Sequence, residues 1–86
     1  MSECDVIRVL VEFTAAGKIY ECLLSSGRML SEQLYELYGM EKSELEDLYV
    51  FNEESLIYEK NSGILCDPHV SLASLNICEG TVLQIF

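Results

Sequence analysis

Hydrophobic and polar residues alternate at the start of the chain, and this two-residue period is typical of a strand that buries one face. Along residues 6–13 the alternation separates two sets of side chains: Ile7, Val9, Val11 and Phe13 on one face, and Val6, Arg8, Leu10 and Glu12 on the other. The more apolar set is expected to face the core. The segment is therefore predicted to be a strand.

Two further runs show the same period. Residues 19–24 resume it after a short segment that contains Gly17, with Tyr20, Cys22 and Leu24 expected to face inward, so the first two runs predict a β-hairpin. The last run, residues 81–86, places Leu83 and Ile85 opposite Val82, Gln84 and Phe86. Its strongly apolar composition and the long connection before it favour a central strand that runs parallel to the first.

Between the hairpin and the last run, one segment has helical spacing. Leu30, Leu34, Leu37 and Tyr38 fall at i, i+4, i+7 and i+8, whereas Glu32 and Glu36 lie on the opposite side. The pattern predicts an amphipathic helix that ends at Gly39.

The middle of the chain is less regular. Residues 43–46 match a capping box and predict a short helical turn through Leu48. Residues 49–51 and 56–59 are both strand-like, and we favour the second as the strand that pairs with the sheet. A turn at 60–63 and a short strand at 64–66 are expected to follow, and then a loop or single helical turn whose anchors are Leu72, Leu75 and Ile77.

This order of elements predicts an α+β fold in two layers, with one main helix packed on a mixed sheet of four to five strands. A parallel pair formed by the first and last strands is the arrangement of a β-grasp. The 86 residues form a single domain, residues 1–86, by the usual relation between length and domain number.

Charge narrows the range of partners. Fifteen Asp and Glu against five Lys and Arg give a formal net charge of -10, which repels phosphate groups and argues against nucleic acid and anionic membranes as partners. A basic protein surface is the expected partner. The acidic N-terminal residues do not resemble a signal peptide, and no apolar run reaches the ~18 residues of a membrane helix. We therefore expect a cytoplasmic protein with no membrane insertion.

The residues capable of chemistry do not form a recognisable site. The thiols of Cys4, Cys22, Cys66 and Cys78 are expected to stay reduced, and the last three occupy core-like positions, with burial expected for Cys22 and Cys66. Cys66 and His69 have zinc-ligand spacing, but this is the chain's one His, so no metal site is expected. His69 has no nucleophile that the sequence places beside it. Neither catalysis nor a cofactor is predicted.

Residues 63–86 resemble the C-terminal third of ubiquitin-like domains. The resemblance is carried by Leu72, Leu75, Ile77, the turn at Gly80, and the pair Leu83 and Ile85. Within that superfamily the chain is most similar to the YukD/EsaB proteins, which are accessory components of bacterial type VII (WXG100) secretion systems. The hairpin at residues 12–21, the length and the end of the chain at its last strand support this choice, whereas residues 41–55 depart from the pattern.

The resemblance implies a ubiquitin-like binding module that acts as a cytoplasmic accessory or regulatory component of type VII secretion. Because no Gly-Gly tail follows Phe86, conjugation to other proteins is not expected. The alternatives are a ubiquitin-like adaptor in another assembly and a sulfur carrier or modifier relative that has lost its tail.

Two surfaces are candidates for contact with a partner. The first is a set that we call the outer-face residues, on the side of the sheet away from the helix: Val6, Leu10, Leu23, Val82 and Phe86. It would serve a protein partner or a homodimer equally well. The second is the acidic segment, which consists of Glu41, Glu44, Glu46 and Asp47. It provides either solubility or an electrostatic docking surface for a basic partner.

Overall fold

A computed structural model describes residues 6–86 of the chain. The strands and helices, in chain order, are β1 (Val6–Phe13), β2 (Lys18–Ser25), α1 (Leu30–Met40), α2 (Lys42–Leu45), β3 (Ile57–Glu59), a 3-10 turn (Ala73–Leu75) and β4 (Val82–Ile85). The prediction for Cys4 lies outside the described residues. Within residues 6–86 no helix is long and apolar enough to cross a membrane.

The strands form one mixed sheet in the order β2-β1-β4-β3. β1 and β4 are parallel, with Leu10 opposite Val82 and Phe13 opposite Ile85, and the other two pairs are antiparallel. The predicted central pair of first and last strands is confirmed. The α+β architecture with one main helix is confirmed as well.

The core lies between the sheet and α1. The inner-face side chains of β1 and β4 are fully buried except for that of Ile7, which is half-buried near the start of β1. Leu30 and Leu34 of α1 are fully buried as well. The predicted orientation of each long strand is therefore correct. Glu32 and Glu36 are exposed on the other side of the helix, as the spacing predicted.

The start of α1 is held by main-chain groups, because no side chain caps it. The amides of Leu30 and Ser31 donate to the carbonyl oxygens of Val70 and Pro68, both at 2.9 Å. These amides belong to the four that a helix leaves without internal partners. The loop after Pro68 thus fixes the helix to the second half of the chain.

Two predicted helix boundaries are wrong. Gly39 does not end α1, which continues to Met40, since the Glu41 amide still donates to the Leu37 carbonyl at 3.1 Å. The capping box does not form, because α2 begins directly after α1 at Lys42. Ser43 therefore lies inside the helix, and no side chain caps its start. The short helical turn itself is present.

The connection from α2 to β3 is irregular but well packed. The favoured strand is confirmed as Ile57–Glu59, and residues 49–51 form no strand. Their alternating apolar side chains serve a different purpose: Phe51 is buried and the Tyr49 ring packs on Phe13, with ring centres 5.8 Å apart. The Tyr38 hydroxyl also donates to the Tyr49 carbonyl at 2.8 Å. The segment is an aromatic anchor for the end of the core.

The turn after β3 forms as predicted. Glu59 closes it, because the amides of Asn61 and Ser62 donate to its two carboxylate oxygens at 3.0 and 2.9 Å. A hydrogen bond from the Ser62 side chain, followed by the one from the Asn61 amide, lowers the pKa of Glu59. Gly63 takes a φ of 72° there. The predicted strand at residues 64–66 is reduced to a single bridge between Tyr58 and Leu65.

The 3-10 turn confirms the predicted anchors in that region, since Leu72 and Ile77 are buried and Leu75 packs against the core. Cys66 is buried and Cys22 is half-buried, but Cys78 is exposed. The core-like position predicted for Cys78 is therefore wrong. Ile77 takes the buried place, and its neighbour turns outward before the tight turn at Gly80.

Candidate protein-interaction surfaces

The outer face of the sheet contains the predicted outer-face residues, and no helix within residues 6–86 covers it. Leu10 lies at its centre, with Val82 opposite on β4 and Glu21 opposite on β2. Leu10 and Val82 are half-buried by their neighbours, whereas Val6, Leu23 and Phe86 are 56%, 66% and 51% exposed. The structure thus places all five on one face.

Two polar pairs divide this face. The Arg8 Nε lies 3.3 Å from a carboxylate oxygen of Glu21, and the Gln84 side-chain amide donates to Glu12 at 3.1 Å. These pairs lie on either side of the apolar pair Leu10 and Val82. The predicted set is therefore not one continuous apolar patch.

Phe86 belongs to a group at the β3 side of the face. Its ring packs edge-on against Tyr58 with centres 5.5 Å apart, and its main chain exchanges two hydrogen bonds with Leu56 at 3.1 and 2.8 Å. With Gln84 and Gly63 these residues line a shallow groove. Leu56 and Tyr58 were not among the predicted surface residues, although their alternation with the buried Ile57 indicates that they face outward.

Ile19 is a second omission, at the β2 side of the face. It is 59% exposed and lies opposite Glu12. Its position two residues before Glu21 and four before Leu23 gives it the same orientation as those residues. The period of the predicted hairpin would have identified it.

The acidic segment lies on the helix side of the sheet, apart from the outer face. The Tyr20 hydroxyl donates to a Glu44 carboxylate oxygen at 2.9 Å, while Glu46 and Asp47 are exposed. Burial, followed by the hydrogen bond and charge of Glu44 and the charge of Glu41, raises the pKa of Tyr20 to about 12. One carboxylate of the segment is thus already engaged by the fold.

An ion-pair group stands before the first turn of α1. Arg28 contacts Glu36 at 2.6 Å and Glu32 at 3.4 Å. The hydrogen bond to Arg28 lowers the pKa of Glu36, and that same bond raises the pKa of Arg28. Two acidic side chains of the helix are therefore neutralised in part by one cation.

The described thiols and His69 differ in their surroundings. Burial raises the pKa of Cys22, and burial followed by the charge of Glu59 raises the pKa of Cys66, so both thiols are weakly nucleophilic at neutral pH. Within residues 6–86 no three His, Cys, Asp or Glu side chains converge to hold a metal ion. His69 is exposed, and its amide donates to Asp67 at 2.9 Å in a local turn.

Comparison with solved structures identifies the architecture. The ubiquitin-like domain of an Arabidopsis thaliana protein superposes with a TM-score of 0.72 at 17% identity, over 100% of this chain and 81% of that one. Caldiarchaeum subterraneum ubiquitin gives 0.69 at 11% identity, over 93% and 90%. A structure described as molecular mimicry of SUMO gives 0.77 at 12% identity, over 99% and 95%. The chain has the ubiquitin-like β-grasp fold.

Sequence comparison adds nothing more specific to this ubiquitin-like fold. No protein-family model and no curated protein sequence matches the chain. None of the comparisons points to the YukD/EsaB family. At identities of 11–17% the structural likeness shows the ubiquitin-like fold alone.

Proposed function

We propose that this ubiquitin-like domain is a protein-binding module and that it docks a protein partner through the outer face of its sheet. The observation that carries this proposal is the uncovered apolar surface there, with Leu10 and Val82 at the centre and the Phe86 group at one side. Exposed apolar groups with polar neighbours are typical of contact sites on small domains. The polar pairs next to them supply orientation at such a contact.

Charge determines the kind of partner. A net charge of -10 attracts basic surfaces and accelerates association with them. The exposed carboxylates of Glu46 and Asp47 add to this field from the helix side. Association with a basic partner should therefore become slower as salt is added, whereas the apolar contact persists.

The finer assignment within this proposal is an accessory or regulatory component of a bacterial type VII secretion system that acts by binding and not by catalysis. Its support is the resemblance of residues 63–86 and of the hairpin to the YukD/EsaB proteins. An adaptor in another assembly is the alternative, and it needs the same outer face. A carrier relative would instead need an activating enzyme.

Paired variants test the outer face. Leu10→Glu with Phe86→Glu adds two charges to the proposed contact, whereas Leu48→Glu with Val50→Glu adds the same charge at exposed residues of the connection after α2. Binding of each purified variant to the soluble domain of the secretion ATPase, and to partners recovered by cross-linking and mass spectrometry, is measured by calorimetry. The first pair should abolish binding and the second should preserve it.

Circular dichroism first establishes that both double variants are folded, since Leu10 is half-buried. Unchanged binding by a folded Leu10→Glu/Phe86→Glu variant would exclude the outer face. Genes for WXG100 substrates or a membrane ATPase next to this gene would support the secretion role. Adenylation by a partner activating enzyme would instead identify a carrier.

A further inference from the structure

β2 forms one edge of the sheet, and its register shows which of its main-chain groups are used. Two hydrogen bonds connect β1 to the residues just before β4. The Leu10 amide donates to the Thr81 carbonyl at 2.9 Å, and the Arg8 carbonyl accepts from the Gly80 amide at 2.8 Å. Main-chain groups of alternate residues point to opposite sides of a strand. The hydrogen bonds from β1 to β2 therefore come from the residues between, such as Val9 and Val11.

Val9 and Val11 lie opposite Cys22 and Tyr20. The amides and carbonyls of Ile19, Glu21 and Leu23 consequently point away from β1. No other group within residues 6–86 bonds to them. Ser25, the next residue in this series, is instead satisfied by the side chain of Gln33.

The opposite edge of the sheet differs. There the Glu59 amide donates to Ile64 at 2.9 Å and the Cys66 amide donates to Ile57 at 2.7 Å, so residues 64–66 cover β3. Residues 6–86 thus protect one edge and leave the other with three consecutive pairs of available main-chain groups. An edge of this kind is a template for an added strand.

The side chains along the β2 edge define what fits it. Ile19 and Leu23 are 59% and 66% exposed on the outer face, and Glu21 lies between them. Arg8 of β1 lies 3.3 Å from one Glu21 carboxylate oxygen, on the side away from the free edge. A strand added here places every second side chain opposite these three residues. The matching segment has a basic residue opposite Glu21 and an apolar residue two positions away on each side.

We propose that the β2 edge binds an extended segment of a basic protein as a fifth strand, with the pattern apolar-x-Lys/Arg-x-apolar on the outer face. The pattern reads the same in both directions, so it holds for either strand orientation. This inference rests on the proposed function, protein binding, but assigns it a different surface. The β2 edge would form main-chain hydrogen bonds with the partner, whereas the outer face would contact the partner's side chains.

A second copy of this chain fits the edge poorly. If two β2 strands pair in antiparallel fashion about Glu21, the two carboxylates lie opposite each other. A shift of the register by two residues places Glu21 opposite Ile19 or Leu23 instead. Each copy also has a net charge of -10, and like charges oppose association.

Amide exchange measured by NMR tests the edge directly. The probe is the peptide Thr-Val-Thr-Lys-Thr-Val-Thr with blocked ends, and its control replaces Lys with Glu. In the protein alone, the amides of Ile19, Glu21 and Leu23 should exchange faster than those of Tyr20 and Cys22. At millimolar concentration the Lys peptide should slow exchange at the first three at least threefold, and the Glu peptide should have less effect.

Two substitutions separate main-chain pairing from side-chain contact. Leu23→Pro removes an amide that β1 does not use, and Leu23→Thr keeps that amide while removing apolar surface. Leu23→Pro should weaken binding of the Lys peptide more than Leu23→Thr does. Glu21→Gln should reduce the preference for Lys over Glu by about two- to fivefold, which is the scale of one cross-strand charge pair.

Other results would overturn the inference. Without peptide, amide protection that rises with protein concentration would indicate that a second copy binds the edge. With peptide, changes confined to Leu56, Tyr58 and Phe86 would place binding on the outer face. Unchanged exchange with both peptides would show that the edge binds neither. If the outer-face variants abolish partner binding while the edge amides stay unprotected, the proposed function stands and the edge inference fails. If the Lys peptide protects the edge amides while the outer-face variants leave partner binding unchanged, the edge inference stands and the outer-face proposal fails.

Discussion

The side-chain amide of Gln33 forms two hydrogen bonds with the main chain of Ser25: its oxygen accepts from the Ser25 amide at 2.6 Å, and its nitrogen donates to the Ser25 carbonyl at 2.8 Å. Gln33 is buried on α1, and Ser25 is the last residue of β2. The amide therefore takes the place of a neighbouring strand. This contact joins the helix to the sheet and ends the unpaired stretch of the β2 edge.

Replacement of Gln33 should destabilise the fold because the amide and the carbonyl of Ser25 would be left without partners. Gln33→Leu should lower the free energy of unfolding by about 1–3 kcal/mol, the usual cost of buried polar groups that lose their hydrogen bonds. Urea denaturation followed by circular dichroism measures it. Gln84→Leu is the matched control: it removes one side-chain bond to Glu12 on the uncovered face, and it should cost clearly less. Equal losses would contradict the role given to Gln33.

The core prediction concerns Leu34, which is fully buried between α1 and the sheet. Leu34→Ala should lower the free energy of unfolding by about 2–5 kcal/mol, because it removes buried methyl groups and leaves a cavity. Leu23→Ala, at an exposed position of β2, is the same chemical change without the cavity and should cost much less. Denaturation midpoints that fall equally in both variants would show that Leu34 does not support the core.

Tyr20 should make stability sensitive to alkaline pH. Its pKa in the folded chain is raised to about 12, above the ordinary value of 10.0. The stabilisation that its protonated form gives is therefore complete below pH 10.0 and is lost as the pH rises toward about 12. Glu44→Gln removes the carboxylate that accepts its proton, so the pKa of Tyr20 should fall toward 10.0.

Carbon-13 NMR of labelled tyrosine measures this pKa, with assignment by Tyr20→Phe. Glu46→Gln is the control, since it removes an exposed acid that makes no hydrogen bond with Tyr20. If Tyr20 has the same pKa in the Glu44→Gln variant as in the unmodified protein, the Glu44 carboxylate does not raise that pKa.

The cysteines should differ in reactivity. Cys78 is exposed, whereas Cys66 is buried and Cys22 half-buried with a pKa raised by burial. Alkylation requires access and thiolate. Iodoacetamide at neutral pH should therefore label Cys78 before Cys22 and Cys66. Because no Lys or Arg separates Cys66 from Cys78, the protein is cleaved before Asp67 with Asp-N, and mass spectrometry of the peptides gives the order. Labelling of Cys66 before Cys78 in folded protein would be inconsistent with this packing.

Several features of the fold were predictable from local pattern. The alternation in residues 6–13 and 81–86 determined which side chains are buried, because a strand presents successive residues to opposite faces. The spacing of Leu30, Leu34 and Leu37 determined the buried side of α1 in the same way. The parallel pairing of first and last strands followed from the order of elements and the long connection between them.

Local pattern failed where a distant group decides the conformation. The start of α1 depends on carbonyls of Val70 and Pro68, about forty residues away in the sequence. The strand-like run at residues 49–51 became an aromatic anchor because its rings pack on Phe13 and Tyr38. Such partners do not appear in any local period.

The sequence by itself thus determined the fold class, the inner and outer faces of the sheet, and the strongly acidic charge, since each depends on residue type and on spacing within one element. Only the tertiary structure decided that polar pairs divide the outer face and that residues 6–86 cover the edge at Glu59 while leaving the edge at Glu21 open. Those features depend on which strands become neighbours and in which register. Main-chain hydrogen bonds between distant residues determine both.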